Sequence, residues 1–184
     1  MENIDMTFLN TFDIGNIIAG LSFIAVVIGG IVSLYQYSKS IKLKRADYIY
    51  DLIEKIRTDK EISPIIYKIE YGERWYDANF HGGKIESQVD KTLSYFAYIC
   101  YLKKQKIISD KEFEFFKYQV NRILTNDCVI DYFYNLYHFA NKFNTPISFK
   151  HLFDYGKNNK MFNDDFYDSS SYINNPKYHK YLNF

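Results

Sequence analysis

Cysteine, proline and tryptophan are scarce in this chain of 184 residues, which holds two, three and one of them respectively. Cys100 and Cys128 are too few for a disulfide framework and form no CxxC pair, which argues against a zinc knuckle and leaves buried, reduced thiols as the expectation. The first proline is Pro64, so no proline interrupts a helix before it. No GxxxxGKS, GxxxxGKT, HxxxH or HExxH pattern occurs; no phosphate loop, metal or other cofactor is expected, and the chain reads as a non-enzyme. An excess of charge is missing too. The 23 Lys and Arg face 22 Asp and Glu, and a net charge of +1 gives no general attraction for nucleic acid.

The most consequential absence is local. From Ile14 to Tyr37 there is no charged side chain, and a helix of that length rises roughly 36 Å, enough to cross a hydrocarbon core of about 30 Å. The run reads as a transmembrane helix. Residues 1–13 carry Glu2, Asp5 and Asp13 without any Lys or Arg, whereas Lys39, Lys42, Lys44 and Arg45 come directly after the run. Lys outnumbers Arg by 19 to 4, and Ile, Asn and Tyr are abundant, the residue usage of an AT-rich bacterial genome; the charge asymmetry then predicts a single pass through the inner membrane, with an extracytoplasmic stub at 1–13 and the remainder in the cytoplasm. The same four cations are placed to contact anionic lipid headgroups. A cleaved leader would show a basic start, a shorter apolar core and a small-residue cleavage site, so an anchor over 14–37 is expected instead.

Within the run, Gly15, Ala19, Ser22, Val26, Gly29, Ser33 and Gln36 alternate four and three apart, which aligns them on one seam of a helix. Ala25, Gly29 and Ser33 also form a small-xxx-small pattern. Small residues let helix backbones approach closely inside a bilayer, and hydroxyls bond across the contact, so the seam predicts a homo-oligomer. In a ring of copies, Ser22, Ser33 and Gln36 would line a lumen.

Beyond the run, what is abundant is aromatic: 19 Tyr and 16 Phe. Helical spacing of Tyr48, Leu52, Ile53 and Ile56 predicts a juxtamembrane stalk over 38–58. Ser63 with Pro64 suggests the start of a short helix reaching about Tyr71, and the segment 74–84, with Asn79 and Gly82-Gly83, reads as a loop. Val89, Leu93, Phe96 and Cys100 mark an amphipathic helix from Ile85 to Gln105. Ser109-Asp-Lys-Glu112 is a capping box for a helix with Phe113, Phe116, Val120, Ile123 and Leu124 on one face. Asn126 or Asp127 caps another, presenting Val129, Ile130, Phe133, Leu136, Tyr137 and Ala140. A last short helix is expected from Ser148 to a C-cap at Gly156. The fold class is therefore all-α, with a cytosolic helical domain over 59–156 and an aromatic tail over 157–184 that packs on the helices as an irregular strap or binds a partner.

Chemistry-bearing constellations are thin. Arg74 and His81 fit the spacing of the helical HEPN-type ribonucleases, in which such a pair acts on a phosphodiester, although Trp75 stands where that motif usually has a polar residue. His138, His151 and His179 are isolated, and Asp164, Asp165 and Asp168 lack the spacing of a calcium loop.

The segments KLKRADYIYDLIEKI, DKEI, VDKTLSYFAYICYL, IISDKEF and NRILTNDCVIDYF, spread over residues 14–143, resemble uncharacterised bacterial proteins with one N-terminal membrane helix and a cytosolic helical domain, of the kind predicted to act in phage defence. This resemblance implies a membrane effector of abortive infection and transfers no catalytic residue. The expected function is a self-associating membrane protein whose helical domain senses a cytosolic protein or small ligand and acts through the membrane, with pore formation as one outcome. An adapter that tethers a cytosolic partner is the alternative, and a membrane-tethered ribonuclease using Arg74 and His81 the third reading.

Overall fold

A computed structural model describes residues 6–182, with side chains from Ile14 onward. Among the described residues the chain is all-helical, with seven α-helices and no strand: α1 (Met6–Thr58), α2 (Ile62–Glu70), α3 (Lys84–Lys104), α4 (Asp110–Thr125), α5 (Asp127–Phe143), α6 (Lys150–Asn158) and α7 (Ser171–Asn174), with a 3₁₀ turn at Asp164–Tyr167. Two compact units meet in sequence at Tyr50 and Asp51.

The first unit is the bulk of α1. One helix near the N-terminus is long and apolar enough to cross a membrane. Every residue from Ile14 to Asp47 is exposed; Phe23 and Val26 reach 70% and 73%. The expected stub at 1–13 lies partly outside the described residues; its last eight residues are already helical.

The second unit begins with the last turns of α1, where Leu52 and Ile56 are buried. Asp59 ends this helix and begins the next: its carboxylate accepts the amides of Glu61 and Ile62 and pairs with Lys91 of α3 at 3.0 Å. Those bonds start α2 at Ile62, ahead of the expected Ser63-Pro64 start. Pro64 falls in the first turn, where a missing N–H leaves no helical bond unmade. The helix stops at a Schellman turn, with Gly72 at φ 66° and the Glu73 amide bonded to the Lys68 carbonyl at 2.9 Å.

Helix α3 lies at the centre, packed against α2, α4 and α6. Its burial is wider than one stripe: Val89, Leu93, Phe96 and Cys100 are inside, and so are Tyr95, Ile99 and Leu102. A helix covered from several sides needs apolar residues around most of its circumference. The Ser109–Glu112 capping box forms, and the expected face of α4 is the buried one.

Asn126 caps α5, its side chain accepting the Val129 amide at 3.2 Å. Two expectations for α6 fail. It begins at Lys150 instead of Ser148, and Gly156 is an interior residue, not the C-cap, since the helix continues to Asn158. A Cβ on Gly156 would lie 2.8 Å from the Phe162 ring and 3.1 Å from Leu124, so this glycine makes room for the returning tail. Lys160, at φ 54°, supplies the left-handed residue that ends α6.

Candidate functional site

The features that set α5 apart are polar. Asp131, Asn135 and His138 are buried at spacings of four and three, on a face that periodicity alone assigns to solvent. The tail covers that face, and these side chains satisfy its backbone. Asp131 accepts the His179 amide at 2.8 Å; Asn135 donates to the His179 carbonyl at 2.6 Å and accepts the Tyr181 amide at 2.9 Å. His138 Nε2 donates to the Phe166 carbonyl at 2.9 Å, and the Tyr134 hydroxyl donates to the Asp168 carbonyl at 3.1 Å. An extended tail cannot satisfy its own amides and carbonyls, so a stripe of polar side chains does so. Tyr178 stacks on Tyr134 at 4.3 Å, and Phe162 and Phe166 fill the space beside α6.

The α2–α3 loop closes the other side. Three large aromatics lie within six residues of it, and Trp75, Tyr76 and Phe80 are all buried. Tyr76 packs against Phe80, Tyr132 and Tyr181 at 5.0, 5.1 and 4.8 Å. Three polar atoms of this segment are buried without a hydrogen-bond partner: Trp75 Nε1, the Tyr76 hydroxyl and His81 Nε2. Orphans of this kind cost of order 1–3 kcal/mol each and call for an explanation.

Between the loop, the start of α5 and the tail lies an open cleft of about 600 Å³. Arg74 and Tyr76 come from the loop, Asp127, Cys128 and Asp131 from α5, and Lys177 from the tail. Arg74 is exposed and donates to His179 Nε2 at 3.2 Å; Lys177 pairs with Asp127 at 3.1 Å. Burial pushes the Asp131 carboxyl up to about 7 against the opposing influence of the His179 amide and the Arg74 charge. Burial also raises the Tyr76 and Tyr132 phenols, so both remain protonated donors at neutral pH.

The sequence-predicted ribonuclease pair takes separate partners. Arg74 faces the cleft and His179, whereas His81 Nδ1 lies 2.8 Å from Glu86, which also accepts the Gly82 amide. Burial raises the Glu86 carboxyl, but the bonds from His81 and Gly82 outweigh it and hold the group below its usual range. Tyr76 is the link between the two: it shares the cleft with Arg74, and its ring lies 5.9 Å from that of His81. Asp90, bonded by the Tyr132 hydroxyl at 2.8 Å, completes this polar layer.

The other candidates are plainly placed. The seam residues Gly15, Ala19, Ser22, Ala25, Gly29, Ser33 and Gln36 are all exposed on α1, as are Lys39, Lys42, Lys44 and Arg45. A Cβ added at Gly15 or Gly29 would meet nothing within 4 Å. Cys100 is buried and Cys128 half-buried, both as free thiols. Asp168 accepts the amide and hydroxyl of Ser170 in a turn, and the His151 ring packs tilted against Tyr101 at 5.0 Å. The Tyr76–Asp131–Asn135 cluster escaped sequence reasoning; its signals were the aromatic density of RWYDANF and polar residues at helical spacing inside an otherwise apolar α5.

The fold thus defines an all-α protein with one apolar helix of membrane-crossing length and a helical domain that carries a charged cleft. Comparison with known proteins finds no matching family model, no matching curated protein and no matching solved structure.

Proposed function

We propose that the chain is a self-associating, single-pass membrane effector, with its helical domain in the bacterial cytoplasm and α1 as the part that acts on the membrane. The observation that carries this reading is the state of α1 in a single chain. Its apolar side chains from Ile14 to Leu43 are exposed, and a Cβ at Gly15 or Gly29 would meet nothing within 4 Å. A glycine inside a helix costs about 1 kcal/mol relative to alanine, a cost that close helix–helix packing in a bilayer offsets. The cations Lys39, Lys42, Lys44 and Arg45 favour the cytoplasmic side for the helical domain. Helix α1 supplies both the apolar run and, in its last turns, the buried Leu52 and Ile56, so ligand sensing by the domain and action on the membrane would share one element. The biological role this suits is membrane disruption in antiviral defence.

The test is expression of the full chain with a membrane-potential dye. Ion leak that disappears in a Gly29→Leu, Ser33→Leu double variant at unchanged protein level is the expected result; equal leak from the variant ends the seam's role.

A second observation favours an adapter. Tyr67 of α2, Tyr71 just past its end, and Phe115 and Tyr118 of α4 are all at least 58% exposed; Tyr67 and Tyr71 stack at 6.3 Å, and the Tyr118 hydroxyl donates to Glu70 at 3.1 Å beside them, aromatic surface suited to a protein partner. Under this reading, exchange of residues 14–37 for an unrelated membrane helix leaves activity intact; under the first it does not.

A further inference from the structure

We propose that the cleft at the N-terminus of α5 binds the oxyanion of a small ligand, a phosphate or carboxylate group held by Arg74, Lys177 and the first amides of the helix, with the Tyr76 hydroxyl as a buried donor. This names the ligand chemistry of the domain given a sensing role above and rests on that reading.

The first turn of a helix leaves four amides without helical partners and carries a partial positive charge. In α5 two of the four are already used: Asn126 N bonds the Ile123 carbonyl and Val129 N bonds the Asn126 side chain. The amides of Asp127 and Cys128 are the two these bonds leave over, and both residues line the cleft. Helix N-termini with such amides are common oxyanion sites. Here a fixed cation stands beside them. Arg74 has five N–H donors and spends one on His179 Nε2, which leaves the others open to a bidentate oxyanion. Lys177 brings a second cation from the tail.

The independent observation is Tyr76. It is 1% exposed, it forms part of the cleft wall, and its hydroxyl has no partner. A ligand oxygen reaching the inner wall gives that hydroxyl an acceptor. Ligand binding would also hold the loop to the tail, because the two cations belong one to each.

Two carboxylates share the cleft. Asp127 is exposed and already paired with Lys177, so an anion competes for that lysine at the rim. Asp131 is the deeper group. Facing it are Arg74 and Tyr76 from the loop, Tyr134 on its own helix, and Tyr178, His179 and Tyr181 from the tail. Of these only Arg74 is a permanent cation. With the Asp131 carboxyl pushed up to about 7, the group is neutral at pH 6 and ionised at pH 8. Oxyanion affinity therefore falls as pH rises across that interval.

Equilibrium dialysis of the full chain in detergent against radiolabelled sulfate tests this, since sulfate keeps one charge state from pH 5 to 9. The expected result is one saturable site per chain at pH 6, weakened several-fold at pH 8. Arg74→Gln loses about tenfold or more in affinity; Lys177→Gln, an exposed change, loses several-fold in a folded chain. Asp131→Asn makes the pH step smaller. Displacement by inorganic phosphate but not acetate assigns a phosphoryl ligand, and displacement by both extends the class to carboxylates. Absence of a saturable site, or binding indifferent to both Arg74→Gln and Lys177→Gln, overturns the proposal. A chain that binds sulfate at this site yet stays monomeric and causes no leak retains the site and loses the effector role.

Discussion

Asp131 is a carboxyl with one amide donor, one distant guanidinium and almost no water, 4% exposed. Desolvation wins, so the folded state prefers its protonated form. In the unfolded chain the group titrates near 3.9. Between that value and about 7 the folded state binds more protons than the unfolded one, so this group's contribution to stability falls as pH rises and is fully lost above 7. Thermal melts of the full chain at pH 5 and pH 8 check the sign: the wild type is expected to lose stability at pH 8, and Asp131→Asn to lose less. Gly156 gives a second residue-scale test. A methyl group there meets the Phe162 ring at 2.8 Å, so Gly156→Ala is expected to cost about 1–3 kcal/mol by denaturant unfolding, even though alanine is ordinarily the better helix former. The glycine looked in sequence like a stop signal because its true reason, a ring six residues further on, is a tertiary contact.

At the scale of elements, local signals proved the most readable. The Ser109–Glu112 box and the five buried residues of α4 are set within sixteen residues of chain, and both are seen where spacing put them. Helix α5 was half legible. Val129, Phe133 and Ala140 face the core as their period demands, but the stripe of Asp131, Asn135 and His138 is buried by chain 28 to 48 residues later, which no local period can report. Asn135→Leu keeps the number of side-chain heavy atoms and removes all three bonds to the tail, to His179, Tyr181 and Leu182. It is expected to cost about 2–4 kcal/mol and to make the chain after Asp168 the first segment cut in limited proteolysis. A converse change concerns helix ends. Lys106 and Lys160 sit at φ 56° and 54°, and the amides next in the chain bond back to Leu102 and Gly156, the geometry of a Schellman stop. Lys160→Gly is expected to raise stability by up to about 1 kcal/mol, because the left-handed conformation costs a lysine more than a glycine.

For the whole molecule, the division into an apolar helix and an aromatic helical domain was plain from the charge-free run and the shift in composition after it. The cleft was not, since it is assembled from a loop, a helix start and the tail, three pieces up to a hundred residues apart. Acting together, they give the proposed effector an input, the cleft, and an output, the seam of α1. That organisation stands or falls on whether copies of α1 meet in a bilayer. Native mass spectrometry of the full chain released from lipid nanodiscs decides it: a discrete oligomer that falls to monomer in the Gly29→Leu, Ser33→Leu variant is the expected result, and a wild-type chain that is monomeric at every protein-to-lipid ratio contradicts it.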